Sequence, residues 1–256
     1  GPIAAYCDAI ADTNEASALT TAQTAWRTTM DDWQFTELNL IGPITDNDGA
    51  LRNRILSFHI SKLNSCGVDQ VVVLSQDAEF NLQARSSNQR GLGAVEYLLF
   101  NDDLTHTCPS QITETTDWNA RTETERKQMR CQYALQLAAD VSTATTAVHD
   151  AWREDSGNYR LTFTNPNNAS DSLDALTEGL FFIDADVKDV KLAIPLSISS
   201  GCSQAACPDS VESPYSNSSL QNIRSNMLAF IALFSGNDGL SFADIIINEG
   251  FEDVAQ

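Results

Sequence analysis

Apolar positions along this chain recur at steps of three and four, the period of a helix with one buried face. Leu19, Ala22, Trp26, Met30 and Trp33 form one such stripe, and Leu51, Ile55 and Phe58 a shorter one. A longer stripe runs Met129, Tyr133, Leu137, Val141, Ala144, Val148 and Trp152, and predicts one long helix from about Trp118 to Glu154. Leu173, Leu176, Leu180, Ile183, Val187 and Val190 keep the strictest alternation, and Leu220, Ile223, Met227, Phe230 and Phe234 make the last stripe. The four tryptophans, Trp26, Trp33, Trp118 and Trp152, fall on predicted core faces and read as packing.

The punctuation agrees with helices. Thr116 or Asp117 can cap the long helix, Ser170 the strict one, and Asn217 or Ser218 the last, because short side-chain oxygens satisfy the orphan amides of a first turn. Pro195 ends the helix containing KLAIPL, and SGNDG at 235–239 stops the last. Strand signals are confined to VVVLS at 71–75 and YRLTFTN at 159–165, enough for a hairpin at most. The expectation is an all-α bundle with long loops. A faint repeat accompanies it: TAWRTTMDDW from Thr24 and DAWREDSGNY from Asp150 are each followed by a carboxylate entering an apolar run, Glu96 in VEYLLF and Glu178 in TEGLFFI. Duplication with a variable loop accounts for this, as does chance similarity between amphipathic helices.

Charge narrows the partners. Against 35 Asp and Glu stand 15 Lys and Arg, a formal net charge of -20, which repels nucleic acid and anionic membrane surfaces. No apolar run is long enough to span a membrane. Six cysteines with no Cys-x-x-Cys pair suit disulfides in an oxidising compartment. Pairing neighbours gives Cys7–Cys66, Cys108–Cys131 and Cys202–Cys207. Export then implies a signal segment already removed, with Gly1-Pro2 a cloning remnant.

The densest local feature is RGLGAVEYLLF at 90–100. It is not a dinucleotide fingerprint: the sixth position is Glu96, which would repel a pyrophosphate, and no buried strand precedes it. Glu96 is a lone acid beside an apolar helix face, so when buried it needs a cation, an arginine or hydrogen-bond donors. Gly91 and Gly93 permit close approach by a backbone or a ligand. The reading with no chemistry has Glu96 capping its own helix or pairing with Arg90 or a neighbouring arginine. His59, His106 and His149 are scattered without zincin spacing, and no Gly-x-Ser-x-Gly elbow is present. DNDGA, NDD and SGNDG lack the calcium-loop spacing and read as turns.

GLGAVEYLLF resembles the signature of the imelysin family, Gly-x-His-x-x-Glu followed by an aromatic and apolar residues; Gly91, Ala94, Val95, Glu96, Tyr97, Leu98 and Leu99 fit it. TAWRTTMDDWQFTELNLIGPI at 24–44, ALTEGLFFIDADVKDVKLAIPL at 175–196 and NIRSNMLAFIALFSGNDGLSFADIII at 222–247 resemble further segments of that family, in its order. The resemblance implies bacterial cell-envelope proteins once described as metallopeptidases and linked to iron. It also implies two pseudo-symmetric helical bundles with the signature near their interface, and further helices beyond the Gly-rich turn. This chain departs where the signature His stands: it has Gly93, which supplies neither a metal ligand nor a base.

These observations lead to an imelysin-like, all-α protein of two pseudo-symmetric bundles, 1–115 with the signature and 116–256. Its expected function is non-catalytic binding in the bacterial periplasm or at the outer-membrane surface, linked to iron acquisition. The binding region is Gly91, Gly93, Glu96, Tyr97 and Glu178, with Glu96 the metal ligand for iron or another divalent cation, and the partner a metal ion or an envelope protein. Glu178 would face Glu96 across the interface, and Asp102 or His106 could fill the place of the missing His. The alternatives are an imelysin-type metallopeptidase and a surface interaction module that has lost its metal site.

Overall fold

The structure, a computed structural model, describes residues 1–236 and 239–255. Its helices in chain order are α1 (Pro2–Ala9), α2 (Glu15–Glu37), α3 (Asp46–Ile55), α4 (Ser65–Leu74), α5 (Gly91–Phe100), α6 (Glu123–Trp152), α7 (Tyr159–Phe163), α8 (Ala169–Phe182), α9 (Ser219–Ser235) and α10 (Phe242–Asn248). A π-helix, Ile183–Ala193, continues directly from α8. Among the described residues there is no strand and no helix long and apolar enough to cross a membrane. The fold is all-α.

Both strand candidates are helical. VVVLS ends α4, which Asn64 caps by accepting from the Gly67 amide. YRLTF forms α7. A β-branched run has no partner strand here, so the helical cap and the apolar neighbours decide. The long helix is shorter than its stripe suggests. Thr122 caps it and Glu125 reaches back to the Thr122 amide, a reciprocal box that fixes the start at Glu123. Trp118–Ala120 is a separate 3-10 turn. α8 likewise starts two residues earlier than a Ser170 cap would allow, after Asn168. α9 begins directly after Ser218 and stops at Ser235, where Gly236 turns at φ +67° and its amide bonds to Ala232. Asn237 and Asp238 of the SGNDG stop lie outside the described residues.

The chain groups into two compact units, and neither is continuous in sequence. The first holds residues 1–29, 43–159 and 212–218; the second holds 30–42, 160–211 and 219–256. The expected division at 115/116 does not coincide with them, because α6 belongs to the first unit.

In the first unit α6 is the central packing element for α1, α3, α4 and α5. Its stripe is buried as expected at Met129, Tyr133, Leu137, Val141 and Ala144. Trp26, Leu92, Val95 and Tyr97 complete the core, and Trp152 packs edge-on against Tyr159 at 4.9 Å. Two disulfides lock it, Cys7–Cys131 and Cys66–Cys108. This corrects the neighbour pairing: Cys7 on α1 lies against α6, while Cys66 at the start of α4 meets the loop after α5. In the second unit Leu38, Phe182, Val187 and Ala229 form the buried cluster, with Ile183, Ile223 and Phe230 against it. Gly179 lets α8 approach the Leu38 carbonyl, which a Cβ would meet at 2.9 Å. Lys191 is buried and donates to Gln34 Oε1 (2.6 Å), Asn226 Oδ1 (2.9 Å) and Glu37 Oε2 (3.1 Å). Cys202–Cys207 closes the small loop expected of it.

Candidate functional site

The segment that stands out in the sequence, Gly91–Phe100, is a helix buried along almost its whole length. Its two glycines differ in kind. Gly91 has φ +69°, and a Cβ there would meet the carbonyl oxygens of Ile55 at 2.6 Å and Arg54 at 2.9 Å, so only glycine fits. Gly93 lies within the helix with open space: an added Cβ would touch only Leu56 Cδ1, at 4.0 Å. The position of the signature His is therefore empty of imidazole yet not sterically closed.

Glu96 is 1% exposed. One of its oxygens, Oε1, accepts from both the amide and the hydroxyl of Ser216, each at 2.8 Å. Burial raises its pKa to about 7, against the lowering effect of the Ser216 donors; the charge of Glu212 adds to the rise. Ser216 belongs to 212–218, the one late stretch that groups with the first unit. Arg27 on α2 donates to the Ser216 carbonyl at 3.0 Å while lying over the Phe100 ring at 4.5 Å. Tyr215 packs edge-on against Tyr97 at 5.0 Å. The signature carboxylate thus anchors a strap by neutral donors, neither capping its own helix nor pairing with an arginine. Arg90, the expected partner, binds Asp140 instead, at 2.7 Å.

Tyr97 points to a second buried carboxylate that the sequence reading missed. Its hydroxyl donates to Asp69, at 3.0 and 3.1 Å to the two oxygens. Burial, with the Asp69 charge behind it, raises the Tyr97 pKa, so the phenol stays protonated. Asp69 also accepts from the amide (2.8 Å) and hydroxyl (2.9 Å) of Thr107, and the buried Arg130 guanidinium stands 3.6 Å away. Arg130 donates to the carbonyls of Asn101, Asp103 and Thr105, closing the loop after α5 onto α6. Asp69 was findable by the logic applied to Glu96, as a lone acid in GVDQVVVL. Ser216 carried no such signal, being one serine among many, 120 residues from its partner.

The remaining candidates each stand in their own surroundings. Glu178 is exposed on α8, in the second unit. Asp102 is exposed, and His106 Nδ1 accepts from the Cys108 amide at 3.2 Å. His149 is exposed, 3.4 Å from Asp150. The DNDG stretch is a left-handed turn, with positive φ at Asn47, Asp48 and Gly49. Among the described residues no group of three or more His, Cys, Asp or Glu is placed to hold a metal ion. The donor set at α5 is one carboxylate whose Oε1 is already bonded, and Gly93 offers no ligand atom. It does not fit a transition-metal site.

Residues 3–255 match the family model described as Imelysin, a peptidase family designated M75. No curated protein and no solved structure matches the chain significantly. The match spans nearly the whole sequence, and the chain belongs to the imelysin family.

Proposed function

Taking imelysin-family membership as the premise, we propose that this chain is a non-catalytic binding protein of the bacterial cell envelope, linked to iron acquisition. The observation that carries the reading is the state of the signature: Glu96 holds Ser216 and Gly93 replaces the ligand. A segment that in the family pattern offers a His and a Glu here fastens the strap 212–218 to α5. The binding region is the face of the first unit around Gly91, Gly93, Glu96 and Tyr97, with an envelope protein or a metal-bearing ligand as partner. Three disulfides support an extracytoplasmic setting. The link to iron rests on the family.

Two measurements test this. Purified protein is loaded with ferrous, ferric, zinc and calcium ions, desalted and analysed by mass spectrometry beside Gly93→His and Glu96→Ala, with casein hydrolysis assayed on each sample. The expected result is background hydrolysis throughout and retained iron only in Gly93→His. Hydrolysis by the native chain that Glu96→Ala abolishes would restore the peptidase reading. Protein abundance in the source cells is then followed under iron limitation; a rise is expected, and an unchanged level sinks the link to iron.

A second reading, a surface interaction module, draws on α9 of the second unit. Leu220 (77% exposed), Met227, Leu228 and Ile231 (53%) leave apolar surface open there. Replacing Leu220 and Ile231 by Ser and finding no change in partner binding would remove it.

A further inference from the structure

The acid excess of this chain has a gap. Between Ala50 and Val68, and again between Phe80 and Val95, there is no Asp or Glu, yet these stretches carry Arg52, Arg54, Lys62, Arg85 and Arg90. They hold five of the 15 basic residues and none of the 35 acidic ones.

The fold brings the two stretches together within the first unit. The Asn64 amide donates to the Asn88 carbonyl (3.0 Å), Asn88 Nδ2 donates to Ser61 Oγ (2.9 Å), and Gly91 lies against the carbonyls of Arg54 and Ile55. Arg54 and Arg90 then converge on one carboxylate, Asp140 of α6. Arg54 Nη2 reaches Oδ1 at 2.5 Å, Arg90 Nη2 reaches Oδ2 at 2.7 Å, and Gln83 Nε2 also donates to Oδ1, at 2.7 Å. Arg90 returns a bond to Gln83 Oε1 at 2.9 Å. Arg85 joins the same cluster: its guanidinium lies 5.9 Å from the Phe80 ring, and both Arg85 and Arg90 act electrostatically on the buried Tyr133 phenol. Among the described residues Arg85 has no carboxylate within ion-pair distance. Two guanidiniums, Arg54 and Arg90, therefore share one acid, and a third, Arg85, stands beside Arg90 without one.

A purely structural pair needs one arginine for Asp140. The half-buried Arg85 guanidinium has the Phe80 ring beside it and no carboxylate to offset its desolvation. We propose that Arg54, Arg85 and Arg90, with Gln83, form an oxyanion-binding site that takes a small phosphate- or carboxylate-bearing ligand. Planar guanidinium forks match such groups in bidentate geometry. Gln83 is exposed, Arg85 half-buried and the Arg54 side chain 26% exposed, so the site opens to solvent, while Arg90, 6% exposed, sits at its base. Asp140 is a positioning residue, since both its oxygens are already taken. The net charge of -20 around the cluster favours a small anion over an extended anionic surface. This inference is independent of any metal at Glu96.

Titration calorimetry of the full chain at low ionic strength tests it, with inorganic phosphate and citrate as small probes and phosphatidylglycerol vesicles as the surface probe. Arg85→Gln is the main variant because Arg85 holds no ion pair and its loss leaves the Asp140 cluster intact; circular dichroism checks that fold. Arg153→Gln, at an exposed arginine paired with Asp150 and Asp155, removes the same charge elsewhere. Expected is saturable one-to-one binding of phosphate or citrate, weakened about tenfold or more in Arg85→Gln and unchanged within about twofold in Arg153→Gln. Absence of saturable binding up to on the order of 10 mM overturns the proposal. So does equal weakening in both variants, or binding to vesicles without binding to either small anion.

Discussion

Two carboxylates are buried in the first unit, Glu96 within α5 and Asp140 of α6 against the α5 N-cap residue Arg90, and they are met in opposite ways. Asp140 faces two guanidiniums and an amide. Burial pushes its pKa up, but hydrogen bonds from Arg54, Arg90 and Gln83 outweigh that, and the net shift is downward. Glu96 faces a serine. Burial pushes it up to about 7, and the neutral donors of Ser216 and the Tyr215 amide do not bring it back. One acid is thus fixed as an anion and the other is poised between charge states. What separates them is whether the donor itself is charged, since a hydrogen bond from an ionised group is roughly twice as strong as a neutral one.

The largest effect should come from breaking the arginine-held member. Asp140→Asn leaves Arg54 and Arg90 without their acid, and urea unfolding should show a loss of about 3–5 kcal/mol. Next comes the pH dependence of the serine-held member. Between the unfolded value of 4.5 and the folded value of about 7, the native state binds more protons than the unfolded chain. Stability should therefore be full at pH 4.5 and fall as pH rises, by about 3 kcal/mol at pH 8. Glu96→Gln should flatten that slope, and melting curves at pH 5 and pH 8 read the difference directly. A Glu96→Gln slope as steep as the native one would mean that another group sets it.

The two glycines of α5 sharpen the contrast. Gly91→Ala forces a side chain into a left-handed backbone and against two carbonyls, and should cost about 2–3 kcal/mol by thermal unfolding. Gly93→Ala meets nothing closer than Leu56 Cδ1 and sits inside a helix, so it should stabilise by about 0.5–1 kcal/mol. The second result would also show that the loss of the signature His left room behind it.

The stripes that were legible in the sequence are those with a full apolar face, which is why α2, α6, α8 and α9 were all foreseeable from spacing. The errors arise where local pattern competes with something nonlocal. The start of α6 was readable in Thr122-Glu-Thr-Glu125, a capping box overlooked in favour of the earlier Thr116 and Asp117. Two of the three disulfides were misassigned because nearness in sequence says little once α1 crosses to α6: Cys7 finds Cys131 across 124 residues. Glu96 was singled out correctly as a buried acid in need of partners, but those partners come from a segment with no periodicity at all. Arg130 and Asp140 were hidden inside the long stripe, where charged residues read as the solvated face.

The strap also carries a consequence in time. A chain emerging from its N-terminus presents Glu96 long before Ser216, and residues 160–211, which group with the second unit, are made in between. Until they have passed, the carboxylate waits without the donors it meets in the finished fold. The first unit therefore cannot complete itself before Ser216 has been made. Its closure must follow synthesis of residues 160–211, and contacts of such long separation close slowly. A nascent chain halted at Val211 would hold most of the residues of the first unit and still lack the piece that finishes it.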